Sequence, residues 1–348
     1  MTRSNPCLTV SVIMPLYQGA RYCQEALESV LTQTRLPQQV IVVDDGSTDD
    51  GVERLKAMVT TAPDGVDIRF ESQANSGQSA ARNHGASLAS GDLLALIDQD
   101  DVWHPRHLEA LVAPFADDEK LGWVFSDFDE IDSDGYVVTR EFVGKSGAYD
   151  RPQALGALVG SDLMVLPSTS VLRASAFNEV GGFDPDLQGY EDDDLYVRFF
   201  RHGWGAKCIP GSFTSYRTHR AGSSTSERFR TSRVRYLDKL IASIPNEPYM
   251  NRFIIPDLVL PRMFKSTVTD YCIALRVNDH DAARSLARTA REISSRGGAP
   301  SRRRRIELWL FDHPPMMLRF LRLYEALPRR LRPFIHPALS LRRPGFRP

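Results

Sequence analysis

The stretch Leu93-Leu94-Ala95-Leu96-Ile97-Asp98-Gln99-Asp100-Asp101 constrains this chain more than any other. Five apolar residues run straight into three carboxylates. An apolar run of this kind, entered from Gly91-Asp92, reads as a strand buried on both faces. The acids then lie at its carboxyl end, which in open α/β sheets is the end where ligands bind. Neighbouring carboxylates repel one another and are costly to desolvate without a positive partner. A divalent cation is a natural one, because hard cations prefer oxygen ligands. Taken alone, the same acids also read as a solvated turn, so the rest of the chain has to decide.

The preceding residues repeat the motif. Leu8 to Met14 is apolar and β-branched and stops at Pro15, and Val40 to Val43 is a second short strand ending in Asp44-Asp45. Between and after them, Ala20 to Gln33, Val52 to Val59 and Ser76 to Leu88 carry helical spacing, and Val66 to Phe70 alternates as a strand. The first hundred residues thus read as strands alternating with helices, the pattern of a parallel sheet covered on both faces. Two of these strands deliver Asp pairs to the same sheet edge, which implies a shared pocket.

Beyond Asp101 the pattern changes. The sequence predicts a helix over His107–Phe115, strands at Trp123–Phe125, Ser168–Leu172 and Phe213–Thr218, and a hairpin-type turn at Asp132–Gly135. Leu155–Val159 and Tyr190–His202 read as helices, the second opening on Glu191-Asp192-Asp193-Asp194. From about Ser226 the pattern is mostly helical, and Gly297–Ser301 marks a linker.

Composition narrows the class. The chain has 348 residues, 42% hydrophobic and 25% charged, as expected of a globular protein with a substantial core. Cys7, Cys23, Cys208 and Cys272 show no metal-ligand spacing and no disulfide framework, which fits reduced thiols in a cytoplasm. No apolar run approaches the ~20 residues that span a bilayer, and no signal peptide is evident. The net charge of −1 conceals a split: residues 301–348 hold twelve Arg and three acids, a +9 tail on a −10 body. Nucleic acid is not expected as a partner. G-x-S-x-G, P-loop and G-x-G-x-x-G motifs are all missing, against hydrolase, P-loop kinase and dehydrogenase readings.

Four groups carry candidate chemistry. Asp44-Asp45 can accept from a nucleobase N–H or cap the following helix, with Asp44 the better cap. Arg82-Asn83 places a guanidinium near phosphates or a base, unless it is simply an exposed helical Arg. The acids from Glu191 suit a helix N-terminus, where each is worth about 0.3–1 kcal/mol, but four exceed what capping requires. One of them facing a pocket can take a proton from an alcohol. Tyr216-Arg217-Thr218-His219-Arg220 ends the last strand with an imidazole between guanidiniums, suited to a cation or a phosphate.

Together these blocks resemble the family 2 glycosyltransferases, inverting nucleotide-sugar enzymes with the GT-A fold. The match runs from about Val10 to Ser226. It rests on Ser11–Tyr17, Leu27–Thr34, Val42–Asp49, Ala81–Ala86, Leu96–Asp101, Gly181–Asp184 and Glu191-Asp192 with Arg198, all in order. The resemblance implies a mixed, mainly parallel α/β sheet with helices on both faces and a C-terminal helical extension. Its domains would be a catalytic domain over 1–225, helices over 226–300 and a basic tail over 301–348. It implies that Pro15, Tyr17 and Asp45 line the nucleobase pocket and that Arg82 sits near the base or diphosphate. Asp98-Gln99-Asp100-Asp101 is similar to the family's D-x-D motif, Asp100 contacting ribose or metal and Asp101 ligating Mg2+ or Mn2+. His219 closes on the metal and diphosphate. Glu191-Asp192 matches the family's E-D pair, with Asp192 as general base.

Two departures stand out. Gln18 replaces the usual Asn, and Asp193-Asp194 extend the E-D pair, leaving the base one position open. The implied reaction is a metal-assisted single displacement from a nucleotide-sugar, UDP-linked by expectation, to a hydroxyl of a glycan or lipid-linked acceptor. A nucleotidyltransferase would want a Gly-rich, basic first loop, and Tyr17–Arg21 is poor in Gly. A non-catalytic sugar-nucleotide-binding protein is the other alternative, favoured only if a site acid were missing. For the tail, Met316–Leu327 reads as a helix with a polar stripe of Arg319, Arg322 and Glu325. Two readings stand: peripheral contact with an anionic membrane at the cytoplasmic face, or packing on the acidic body.

Overall fold

The computed structural model describes residues 8–145, 154–161, 165–219, 227–245, 248–249 and 251–326. Two compact units emerge, one of residues 1–155 and 163–221, the other of 156–162 and 222–348.

In the first unit the chain runs β1 (Val10–Leu16), α1 (Cys23–Leu31), β2 (Gln39–Asp44), α2 (Gly51–Met58), β3 (Asp67–Ser72), α3 (Gln78–Leu88) and β4 (Leu93–Leu96). It continues through β5 (Val102–Trp103), α4 (His107–Val112), β6 (Leu121–Ile131), β7 (Val137–Thr139) and α5 (Phe142–Lys145). After α6 (Leu155–Val159), which enters the second unit, come β8 (Ser170–Arg173), α7 (Ala174–Glu179), α8 (Glu191–Arg201) and β9 (Gly205–Arg217). The strands form one mixed sheet in the order β3-β2-β1-β4-β8-β6-β9-β5, with β7 on β6.

Alternation along β1 explains the layers. Val10, Val12, Met14 and Leu16 share one buried cluster with Cys23, Ala26, Leu27, Val30 and Leu31 of α1. On the other face, Ile41, Val43 and Ala81 pack together. There α3 comes so close that a Cβ on Gly85 would lie 2.6 Å from Ile13 Cγ2. Successive side chains of a strand point to opposite faces, so apolar residues at every position require a cover on both.

Strand direction sets the site. β1, β2, β3 and β4 are mutually parallel. β8 is antiparallel to both β4 and β6, which restores β6 to the direction of β4, and β9 runs parallel to β6. The carboxyl ends of β1, β2, β4, β6 and β9 therefore share one edge.

Two strands are longer than the sequence predicts. Trp123–Phe125 is the start of an eleven-residue β6 that is buried throughout, including Asp127, Asp129 and Glu130. Asp127 accepts from the backbone N–H groups of Phe128, Val143 and Gly144, so loop donors replace water. Phe213–Thr218 is the end of β9, whose register against β6 shifts between Ser126 and Phe128. Pro15 does not end β1 either, since the ladder continues to Leu16 opposite Asp44.

The second unit is helical. α9 (Glu227–Ser243), a short hairpin of β10 (Pro248–Tyr249) and β11 (Arg252–Phe253), a π-helical turn at Ile254–Val259, α10 (Leu260–Arg276) and α11 (His280–Ser295) lead into α12 (Arg302–Asp312) and α13 (Pro314–Ala326). The buried Arg233 reaches Asp270 at 2.5 Å and Thr267 Oγ1 at 2.9 Å. Arg302–Arg305 form the first turn of α12, where the Ser301 hydroxyl accepts from the Arg304 N–H.

Candidate functional site

The acids gather at the shared carboxyl edge of the sheet. Asp45, one residue past β2, is buried. Its Oδ1 accepts from Gln73 Nε2 and the Ser76 N–H, and its Oδ2 from the Gly77 N–H, each at 2.8 Å. It thus caps the approach to α3, one helix further on than expected. Gly77 makes this possible at φ +90°, a conformation side-chain-bearing residues rarely adopt. Asp44, expected to be the better cap, instead holds the Ser47 N–H in the turn, while Asp49 accepts from Gly51 at the start of α2. Pro15 is buried in β1, and Tyr17 is half-exposed just beyond it. Gln99 ties Tyr17 to the acid loop by a reciprocal pair, Tyr17 N–H to Gln99 Oε1 at 2.7 Å and Gln99 Nε2 to the Tyr17 carbonyl at 2.9 Å.

Arg82 is not an exposed helical arginine. It is buried, donating to Asp98 Oδ1 at 2.5 Å and Glu191 Oε1 at 3.1 Å, with its guanidinium over the Phe183 ring. Burial alone would lower its pKa, and the two carboxylates more than reverse that. Glu191 is fully engaged: Oε1 also accepts from Gln78 Nε2 at 2.5 Å, and Oε2 from the Gly189 N–H at 2.6 Å. Asp194 pairs with Arg198, which also donates to the Val180 carbonyl.

The other acids are less well satisfied. Burial, then the charges of Asp100 and Asp98, hold the Asp101 carboxyl well above the usual range. Its Oδ1 accepts from the Arg217 N–H at 2.9 Å, and the Ser168 hydroxyl lowers its pKa somewhat, but among the described residues its buried Oδ2 has no hydrogen-bond partner. Asp98 is also raised, by burial in the first place. Asp192 is deeply set yet keeps some accessible surface, and burial, then Glu191 and Asp193, push its carboxyl well above the usual range. Asp100 meets His219 Nε2 at 2.8 Å, and the imidazole leans on the Tyr22 ring at 5.3 Å.

Among the described residues, no three or more His, Cys, Asp or Glu side chains converge to hold a metal by themselves. The donor set still fits a divalent cation of the Mg2+ type, which takes one or two carboxylates and completes its shell with water and phosphate oxygens. The buried, unpartnered oxygen of Asp101 is the observation that speaks for it.

Two residues carry roles that sequence reasoning missed. Arg217, read as a phosphate fork, is committed to the protein: Nε donates to the Asp100 carbonyl, Nη1 to the Asp132 carbonyl and Nη2 to Glu25 at 2.6 Å. It fixes the acid loop against α1. Arg220 lies outside the described residues. Tyr216, counted only as a strand residue, has its phenol pKa raised by burial and then by Asp101, Asp100, Asp98 and Asp192. An aromatic three residues before His219, at the end of the last strand, was the available signal.

Residues 11–181 match the family described as Glycosyl transferase family 2. An uncharacterized glycosyltransferase of Bacillus subtilis, YwdF, is 31% identical over 238 residues, 67% of this chain and 83% of its own length. Among solved structures, S. aureus TarS 1–349 in complex with UDP-GlcNAc matches over 96% of this chain and 88% of its own, at 17% identity and a TM-score of 0.60. The mannosyltransferase PcManGT of Pyrobaculum calidifontis, in complex with GDP-Man and Mn2+, matches over 95% and 85%, at 19% identity and a TM-score of 0.58. The last two show a shared fold, and with the first two they identify the chain as a glycosyltransferase of family 2, with the GT-A type of mixed α/β sheet.

Proposed function

We propose that this enzyme transfers a sugar from a nucleotide-diphosphate donor to an acceptor hydroxyl with inversion at the anomeric carbon. The observation that carries the reading is the buried Arg82, which donates both to Asp98 of the acid loop after β4 and to Glu191, the neighbour of Asp192, and so ties the two acid groups to one edge. A raised carboxyl at Asp192 and a cation-ready carboxyl at Asp101 then belong to one pocket. Family membership sets aside the nucleotidyltransferase and non-catalytic alternatives.

In this reading Asp192 takes the acceptor hydroxyl proton on a carboxylate oxygen as the acceptor oxygen bonds to the anomeric carbon. The bond from that carbon to the diphosphate oxygen breaks, and its electron pair leaves with the nucleotide. Attack opposite the leaving group inverts the centre, and no covalent enzyme intermediate forms. A divalent cation, Mg2+ or Mn2+, would be held by Asp100 and Asp101 with His219 beside it, and when bound would neutralise charge on the diphosphate. Pro15, Tyr17 and Asp45 line the nucleobase side, with Asp98 and Asp100 toward the ribose. Glu191 acts through Arg82, keeping Asp98 and the start of α8 in register, and so positions rather than reacts. UDP is the favoured nucleotide, because TarS of this fold binds UDP-GlcNAc, although PcManGT binds GDP-Man. The acceptor is a hydroxyl of a glycan or lipid-linked intermediate in polysaccharide synthesis. The described cysteines are free thiols, in keeping with a cytoplasmic setting.

Thermal shift with UDP-, GDP- and dTDP-sugars, with and without Mn2+, tests this. One nucleotide class at about 100 times its Kd should add about 2.7 kcal/mol. Asp101→Asn should lose the Mn2+-dependent part of that gain. No stabilisation by any donor, or an unchanged Mn2+ effect in Asp101→Asn, overturns the reading.

A further inference from the structure

The helices after residue 300 leave a face that the sugar-transfer chemistry does not use. α12 turns Phe311 inward, against the Tyr271 and Phe264 rings. The opposite side of the helix carries Arg302, Arg305, Ile306, Trp309 and His313, within about a third of a turn by the 3.6-residue period. α13 follows with only His313 between, and buries Met317 and Leu321. Its outward side carries Met316, Arg319, Arg322 and Leu323. Ile306, Trp309, Met316 and Leu323 are between 42% and 71% exposed, far beyond what a packed helix leaves open.

The charges on this face are unbalanced. Glu307 is drawn to Arg303 and Arg304, and Asp312 to Arg291, which leaves Glu325 as the single further acid in the sequence of these two helices, against Arg302, Arg305, Arg319 and Arg322. Arg302, Arg305, Arg319 and Arg322 form no ion pair among the described residues. A second copy of the same face would set arginine against arginine. Residues 327–348 offer no better cover, since they add six Arg and no acid. The occupant must be negative, and it must also take apolar side chains. An acidic protein surface or a nucleic acid meets the first demand without needing Ile, Met and Leu. A bilayer with anionic headgroups meets both: arginines hold headgroup phosphates while the apolar side chains enter the interface, and Trp favours that depth.

We propose that the outward faces of α12 and α13 seat the protein on an anionic lipid surface. Of the two readings of the tail, this favours the membrane for the outward side, while Phe311, Met317 and Leu321 pack within the helical unit itself. The attachment proposed is peripheral, and among the described residues no helix is long and apolar enough to cross a membrane.

The test is flotation of the full chain with vesicles of phosphatidylcholine alone or mixed with phosphatidylglycerol. The full chain should float with the mixed vesicles at low salt, stay behind with the neutral ones, and be released by high salt, where screening shortens the reach of charge. Trp309→Ala should weaken partition about ten-fold, and Arg302→Gln with Arg305→Gln about five-fold for each charge removed. Val277→Ser, an exposed apolar change on the loop before α11, should change nothing. Donor-dependent thermal shift should be the same in all variants, which separates this proposal from the transfer chemistry and reports folding. Equal flotation with neutral vesicles, no flotation at all, full flotation of the variants, or an equally salt-sensitive and variant-sensitive affinity for duplex DNA overturns it.

Discussion

Glu191 and Asp192 are neighbours at the start of α8, yet they are in opposite states. Glu191 shares Arg82 with Asp98 and receives further donors from Gln78 and Gly189, so its charge is met from every side. Asp192 has one donor from within the helix, the Asp193 N–H, and is held well above the usual carboxyl range by burial and by its acidic neighbours. The same contrast divides Asp45, with three donors, from Asp101, with a buried oxygen that has none. Carboxylates whose donors come with the fold are part of its framework. In the proposed mechanism, those left short of donors take up what arrives with substrate, a proton at Asp192 and a cation at Asp101. Burial alone does not separate the two kinds, because Asp45 and Asp101 are both nearly inaccessible.

The largest effect should come from breaking the Asp192 side. Asp192→Asn should lower turnover about 10²–10⁴-fold while leaving donor affinity nearly unchanged. The sign of the pH dependence follows from the raised carboxyl. The base must be ionised, so activity should rise with pH through an inflection above the ordinary Asp value. Stability runs the other way. The folded state favours the neutral carboxyl, so Asp192 costs nothing below its unfolded pKa. Its cost grows as pH rises toward the folded value. Asp192→Asn should therefore melt higher than the parent at neutral pH and match it in acid. Steady-state kinetics and melting across pH check both. A fully active Asp192→Asn with a dead Asp193→Asn would move the base by one residue.

A comparable loss, but of stability, is expected on the framework side. Arg82→Met leaves Glu191 buried and Asp98 half-buried without their cation, which typically costs about 3–5 kcal/mol. Adding Glu191→Gln should recover part of it, because one uncompensated charge is then gone, and a double-mutant cycle reads that coupling. A cost below about 1 kcal/mol for Arg82→Met would show that the pair is no framework at all.

Much of this was legible in the sequence. The alternation of apolar runs with helical spacing gave the parallel strands β1 to β4, and acids directly after apolar runs located the edge. Asp98, Asp100, Asp101 and His219 stood out for the same reason. What stayed hidden depended on donors supplied from far along the chain. Asp45 is satisfied by residues 28 to 32 positions away, and Arg217 grips Glu25 across 192. β6 was cut short on the page because Asp127 and Asp129 look like a loop until Val143, Gly144 and Glu141 are seen to donate to them. A buried polar residue in a strand is invisible to a hydrophobic period, since its partner is what makes burial tolerable.

The smallest expected effect sharpens the comparison most, because it separates the fold's use of a carboxylate from a ligand's. Asp45→Asn keeps the shape but removes the charge and turns an amide N–H₂ toward backbone donors that had an acceptor. Losing charge-assisted bonds at the entry to α3 should cost about 1–2 kcal/mol. For a unit of some two hundred residues that is about 2–4 °C per kcal/mol in Tm. Nucleotide affinity should fall by about ten-fold, the low end of what a single hydrogen bond to a charged group is worth. The reason is geometric: Oδ2 accepts only from Gly77, which leaves it room for one further donor, whereas Oδ1 already takes two. Calorimetry with the nucleotide and a melt on the same sample read the two quantities side by side. A Tm unchanged within error alongside a collapse in affinity would place Asp45 with Asp101, among the acids kept for the ligand, and would undo the division between donor-rich and donor-poor carboxylates at this edge.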